Sequence, residues 1–415
     1  MSILEIIKEN YISQEKSDFV TTLFGENKEL LKTNEEVIVY GAGSGGREVS
    51  ECLLLHGVTT EFFCDSNPDL IGKTLLGKPI ISFEQLFKSY KNRFIVVGVQ
   101  KPKKIVYESL VSKGFNRVGI IQNDEQFYYY LQFPRWKIEI LELTPHANKI
   151  SQVYEMLADQ KSKDIFINRL STLTSYADFA SYKNYCKLSN YPSAYPESKK
   201  IFSANFENQM YFDNDLITLK PGEVNLVDCG AYDGDSFIEF QKSLEKLQIK
   251  DSFVYCFEPD LLNFQKLRTN LSGYKNVDFF QLGVWNEKTT LKFASSNLMY
   301  QTESCVVRTE ERLSKVIQAT ESDSSIEVDS IDNLLYPNRV NIIKMDVEGS
   351  ESEALLGAQK TIKKHHPQLI ISTYHKKDDL WNLPLLIKNM SPDYKFYIRH
   401  FSFSWSETVL IAIPK

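Results

Sequence analysis

Two apolar runs with acidic ends set the constraint. Val224-Asn-Leu-Val-Asp228 breaks into Cys229-Gly230-Ala231-Tyr232-Asp233-Gly234-Asp235, and after a helix-like segment Phe253-Val-Tyr-Cys-Phe257 ends in Glu258. Strand, glycine turn, helix and a second strand closing in an acid is how a parallel sheet binds a nucleoside at its carboxyl edge. Gly230 and Gly234 permit a sharp turn and close backbone approach, and Glu258 can accept both hydrogen bonds of a ribose 2′,3′-diol.

The loop chemistry selects among nucleosides. A pyrophosphate wants bare amides at a helix N-terminus, whereas this loop carries Asp228, Asp233 and Asp235. Those carboxylates repel phosphate and suit a ligand with a cationic sulfonium and an α-ammonium, which describes S-adenosylmethionine. An ordinary turn with acidic helix caps is the plainer alternative.

The run Asp228 to Ser236, the strand end Phe257-Glu258-Pro259-Asp260, the segment Ile343-Lys-Met-Asp346-Val-Glu348-Gly349 and the closing Glu407-Thr-Val-Leu-Ile-Ala-Ile-Pro414 together resemble the FkbM-type methyltransferases. The resemblance covers about residues 205 to 415. It implies a class I methyltransferase fold, a seven-stranded, mostly parallel, doubly wound α/β sheet ending in an antiparallel hairpin. It further implies methylation of a sugar hydroxyl in a surface glycan, nucleotide sugar or natural-product precursor. On the matching positions, Tyr232, Ser236 and Pro259 join the donor-binding set of Asp228, Gly230, Asp233, Gly234, Asp235 and Glu258.

At 415 residues the chain is long enough for two domains, and 25% charged with 42% hydrophobic residues is a globular composition. A net charge of −6 without a long basic stripe argues against nucleic acid as the main partner. The first residues carry no signal-peptide pattern, and no stretch nears the ~20 apolar residues that span a bilayer. The six scattered cysteines form no Cys-x-x-Cys pair and read as reduced thiols of a cytoplasmic enzyme. A homo-oligomer is compatible with the sequence and not specified by it.

A second nucleotide-type unit stands at the front. Glu36-Val-Ile-Val-Tyr is followed by Gly41-Ala-Gly43-Ser-Gly45-Gly46, and a second strand ends at Asp65, about 20 residues on, where a ribose-binding acid falls. This loop lacks carboxylates between its glycines, so its amides are free for a nucleotide diphosphate, either NAD or part of a sugar donor. The stretch Cys64 to Ser82 resembles the N-terminal domain of bacterial nucleotide-sugar acetyltransferases. Glycines kept for geometry in a domain that binds nothing give the same fingerprint. The organisation read from the sequence is an N-terminal helical segment (1–33), a small Rossmann-like α/β domain (34–125), a helical connector (126–204) and the methyltransferase domain (205–415).

An NAD-dependent nucleotide-sugar oxidoreductase or epimerase is the rival enzyme, and a non-catalytic scaffold the rival without chemistry. The former wants Tyr-x-x-x-Lys on one helix face, and Tyr195-Pro-Glu-Ser-Lys199 is broken by its proline. For O-methylation the acceptor hydroxyl must lose its proton as it attacks, so the candidates are His375, Asp346 and Glu348 past later strand ends, with His375 as general base and His400 as a further candidate. The same Asp346, Glu348 and His375 could instead hold Mg2+ and lower the pKa of a bound sugar hydroxyl. Asp346 as a helix cap and Glu348 as partner of Lys344 or Lys360 is the structural alternative.

Overall fold

The computed structural model describes residues 3–9, 24, 35–55, 57–99, 103–121, 138–174, 188, 211–212, 216–294, 305–306, 324–401 and 407–415. The chain divides into two compact units, Ile3–Glu142 with Asn168–Tyr185 and Leu143–Ile167 with Cys186–Lys415. The Tyr195 to Lys199 spacing lies outside the described residues.

The first unit is built on β1 (Val37–Tyr40), β2 (Thr60–Asp65), β3 (Thr74–Leu75), β4 (Lys78–Ser82), β5 (Ile95–Val97) and β6 (Val118–Ile120), in the order β3-β4-β2-β1-β5-β6. All neighbours are parallel except the β3–β4 hairpin. Helices α1 (Ser44–Leu55), α2 (Phe83–Ser89) and α3 (Lys103–Ser112) make the crossovers. The order turns back at β1, so the β1–α1 glycine loop stands at the point where such sheets bind ligands. Helix α2 starts where Ser82 and Gln85 exchange side-chain bonds with each other's backbone amides, a capping box.

The second unit opens with α4 (Ala147–Met156), and its main sheet uses β7 (Val224–Cys229), β8 (Ser252–Phe257), β9 (Val277–Phe280), β14 (Ile342–Met345), β15 (Gln368–Ser372), β16 (Tyr394–His400) and β17 (Thr408–Pro414). Their order is β16-β17-β15-β14-β7-β8-β9, with β17 antiparallel to both neighbours and the other pairs parallel. This is the class I methyltransferase topology expected from the sequence. Every residue of β7 and of β14 is buried, as central parallel strands covered on both faces must be. Helix α5 (Asp235–Lys246) seats Phe237, Phe240 and Leu244 at helical spacing against this sheet, and burying each side chain contributes roughly 1.5–3 kcal/mol. Helices α6 (Leu261–Asn270), α7 (Glu351–Leu356), α8 (Gln359–His365) and α9 (Asp379–Met390) complete the layers.

Two regions differ from a plain sequence reading. The span 283–329 holds a second, four-stranded sheet of β10 (Gly283–Val284), β11 (Thr289–Ala294), β12 (Cys305–Val306) and β13 (Ser324–Asp329), ordered β10-β13-β11-β12, which the sequence pattern does not announce. Strands this short carry too little periodicity to read. At the opposite edge, Leu157 bridges to Phe396, and the buried Arg399 reaches Asp159 Oδ2 at 2.7 Å and Ser162 Oγ at 2.9 Å.

Candidate functional site

The β7 loop is shaped by its glycines. Gly230 has φ +79°, and a Cβ there would stand 1.9 Å from the carbonyl oxygen of Asp346. Gly234, at φ +96°, caps α5 in the left-handed region. The loop is therefore in backbone contact with the end of β14, and the Asp346 amide donates to Cys229 O at 3.0 Å.

Glu258, at the end of β8, is 6% exposed and closes the other side. Its Oε2 accepts from the Tyr232 amide at 3.0 Å and its Oε1 from the Asp260 amide at 2.9 Å. Each oxygen keeps a second lone pair, so the carboxylate that shapes the loop can also take a diol. Burial pushes its pKa up to about 7, against the pull of those two amides. Asp260 itself caps α6 through the amides of Leu262 and Asn263. Asp235 Oδ1 accepts from Ser236 N at 2.6 Å in the first turn of α5, and Asp233 is raised by partial burial and then by Asp235. The alternative of acids serving only as caps does not describe this loop, because α5 has no side-chain cap.

Sequence reasoning missed the cation beneath the loop. Lys344 in β14 is 2% exposed; its Nζ lies 3.1 Å from Asp228 Oδ1 and donates to Gly230 O at 2.8 Å. Asp228 is fully buried; burial pushes its carboxyl up to about 6 even though Lys344 pulls it down. Lys344 thus pairs with Asp228 and not with Glu348.

Past β14 and β15 the candidate catalytic residues come together. His375 Nε2 stands 3.3 Å from Asp346 Oδ1 and 3.5 Å from Glu348 Oε2, while Nδ1 is 2.8 Å from Glu351 Oε1. Glu351, which the sequence did not single out, is fully buried and also accepts from the amides of Val347 at 3.1 Å and Gly349 at 3.4 Å. It therefore holds both the ring and the loop that presents Asp346 and Glu348. Asp346 is not a helix cap: Tyr211 OH donates to its Oδ2 at 3.2 Å and Tyr374 OH to its Oδ1 at 3.1 Å. Tyr211, which the sequence did not single out, belongs to the site.

The electrostatics alter the role open to His375. Burial alone would lower its pKa, but Glu351, then Glu348 and Asp346, hold it well above the ordinary imidazole value. The three carboxylates thus favour the protonated ring. Burial works against the Asp346 carboxylate, yet His375 and Lys344 keep it below its usual range. Glu407, just before β17, is pushed up by burial and by Asp346. Tyr232, Glu348 and Glu407 are non-glycine residues at positive φ (46°, 53° and 64°), and all three sit at this carboxyl edge. Such backbone strain concentrates where function requires it. His400, by contrast, is fully buried with Nδ1 3.2 Å from Thr408 Oγ1, which ties two strands and leaves no face for an acceptor.

In the first unit, Gly41 has φ +112° and a Cβ on it would meet Val99 and Gly98, while a Cβ on Gly46 would lie 1.8 Å from Gly41 O, so both positions require glycine. Gly43 faces open space. Asp65 Oδ2 accepts from the Ala42 amide at 2.7 Å and Oδ1 from Asn67 at 2.8 Å, so this acid already braces its own loop.

Among the described residues no helix is long and apolar enough to cross a membrane. Residues 228–401 match the family model described as the Methyltransferase FkbM domain. None of the curated proteins compared with the chain is a match. Among solved structures, the chain is similar to a methyltransferase FkbM from Methylobacillus flagellatus KT at 18% identity and TM-score 0.58, over 99% of this chain and 98% of that one. An rRNA methylase from Streptococcus thermophilus aligns over 47% of this chain and 88% of its own, at 14% identity and TM-score 0.28.

Proposed function

We propose that the chain, whose residues 228–401 match the methyltransferase FkbM domain, is an S-adenosylmethionine-dependent methyltransferase that transfers the methyl group to a hydroxyl of a sugar in a glycan, nucleotide-sugar or natural-product precursor. The observation that carries this reading is the backbone contact between the Gly230 loop and the Asp346 end of β14, which joins a nucleoside-type pocket to a carboxylate–imidazole cluster.

Glu258 would hold the ribose, and Asp228 to Ser236 the rest of the donor, with Pro259 closing the turn after the acid. When bound, S-adenosylmethionine supplies an electrophilic methyl group on a cationic sulfonium. The acidic loop favours that charge, and Lys344 keeps the buried Asp228 ionised for it. At the cluster, the acceptor oxygen must lose its proton as it bonds to carbon, and the carboxylates around His375 are there to receive it. His375, held by Glu351, keeps these carboxylates in place around the acceptor. Alignment of acceptor and methyl group supplies much of the remaining acceleration.

The front glycine loop, Gly41, Gly43 and Gly46 with Asp65, is read as a site for a nucleotide diphosphate, bound without redox turnover. A cytoplasmic location fits an activated-sugar acceptor. The test is a binding and turnover panel: S-adenosylhomocysteine, NAD and several nucleotide sugars by calorimetry, then release of S-adenosylhomocysteine with each sugar present. Binding of NAD with reduction, and none of S-adenosylhomocysteine, would replace this reading with the oxidoreductase.

A further inference from the structure

We infer that His375, Asp346 and Glu348 bind one divalent cation of the manganese or magnesium class, with Glu351 as the residue that aims the imidazole. This deepens the reading of the cluster as the acceptor side of the methyltransferase site.

The geometry has the form of a carboxylate–histidine–metal triad. A metal-bound histidine hands its other ring nitrogen to a carboxylate, which fixes the ring and its tautomer. Glu351 Oε1 does this at 2.8 Å from Nδ1. The opposite nitrogen, Nε2, belongs to a residue 7% exposed, makes no hydrogen bond, and points at two carboxylate oxygens. Those oxygens stand at 3.3 and 3.5 Å, long for hydrogen bonds. Ligand atoms around a six-coordinate ion with bonds slightly over 2 Å stand about 3 Å apart, close to the separation of Nε2 from each of these oxygens.

The surroundings fit the same reading. Asp346, Glu351 and His375 offer donor atoms all within 4.8 Å of one another. Glu351 Oε2 is likewise buried without a hydrogen-bond partner. Tyr211 and Tyr374 hydroxyls fix the Asp346 carboxylate. Glu348 is turned toward Nε2 from a left-handed backbone position, with Gly349 following at φ +91°. One imidazole and two carboxylates form a mixed nitrogen–oxygen set, which suits Mn2+ and admits Mg2+. Such an ion would offer open positions to two neighbouring sugar hydroxyls and lower the pKa of the one to be methylated.

The experiment titrates Mn2+ into the chelator-treated full chain, reading the free-ion electron paramagnetic resonance signal, with S-adenosylhomocysteine calorimetry on the same samples. Wild type should take up one Mn2+ per chain, displaced by excess Mg2+. Glu351→Gln should weaken Mn2+ roughly 10- to 100-fold, the usual effect of losing a residue that orients a ligand. Glu348→Gln, at a partly exposed position, should weaken it at least as much while S-adenosylhomocysteine binds as in wild type. Wild type that binds S-adenosylhomocysteine but takes up no Mn2+ at millimolar concentration overturns the cation site alone. Uptake of Mn2+ without S-adenosylhomocysteine binding supports the cation site and removes the donor reading. Uptake unchanged in both variants places the ion elsewhere and overturns the assignment.

Discussion

The Tyr232 amide donates to Glu258 Oε2 at 3.0 Å, so the acid at the end of β8 fixes the glycine loop at the end of β7 before any ligand arrives. Tyr232 holds φ +46° to make that bond. Glu258 thus has two tasks, shaping the loop and accepting a diol, and its burial makes the second depend on pH.

Glu258 titrates at about 7 in the ligand-free protein because burial disfavours its charge. A ribose diol donates to the carboxylate, so binding requires the proton to leave. Affinity for S-adenosylhomocysteine should be flat above pH 7 and fall below it, by up to about tenfold per pH unit. Calorimetry from pH 5.5 to 8.5 in two buffers of different ionisation enthalpy checks both the slope and the released proton.

Gly230→Ala should destabilise the second unit severely. Its Cβ would meet Asp346 O at 1.9 Å, and the φ of +79° strains any L residue. The conformation alone costs roughly 1–3 kcal/mol, and the collision is with backbone that cannot swing away. Gly273→Ala, where a Cβ meets nothing within 4 Å, is the control and should shift the urea midpoint little.

Lys344→Met should cost about 3–5 kcal/mol, the usual result of stranding one member of a buried ion pair, here Asp228. Asp228→Asn added to it should recover part of that stability without restoring donor binding. Equal urea midpoints for Lys344→Met and wild type would show that Asp228 needs no partner.

His375→Ala should cut methyl transfer by roughly 10² to 10⁴ with donor affinity nearly unchanged, because the ring acts at the acceptor. Turnover with the acceptor found in the panel, measured beside calorimetry of S-adenosylhomocysteine, separates the two effects.

The sheet was legible because its central strands are mostly apolar runs ending in an acid, as in Val224 to Asp228 and Ile342 to Asp346, each with one polar residue, Asn225 and Lys344. Asp346, Glu348 and His375 could be proposed from their places past strand ends, and the fold brings them together. Tyr211 could not, since 135 residues separate it from Asp346 and only tertiary packing makes it a partner. Nor could Lys344, which sits in the middle of an apolar strand, where a lysine is tolerated only against a buried carboxylate. His375 was read by its ordinary pKa, whereas Glu351, a neighbour whose approach the sequence does not announce, favours the protonated ring.

The most direct test of the account is calorimetric titration of S-adenosylhomocysteine into wild type, Glu258→Gln and Glu258→Ala at pH 8. Wild type should bind with one site per chain, and Glu258→Ala should lose about 1–3 kcal/mol, the cost of leaving hydrogen-bonding groups without partners. Glu258→Gln, which keeps one acceptor oxygen, should fall between them. Equal affinity in wild type and Glu258→Ala would contradict the assignment of this acid, and of the loop it holds, to the donor nucleoside.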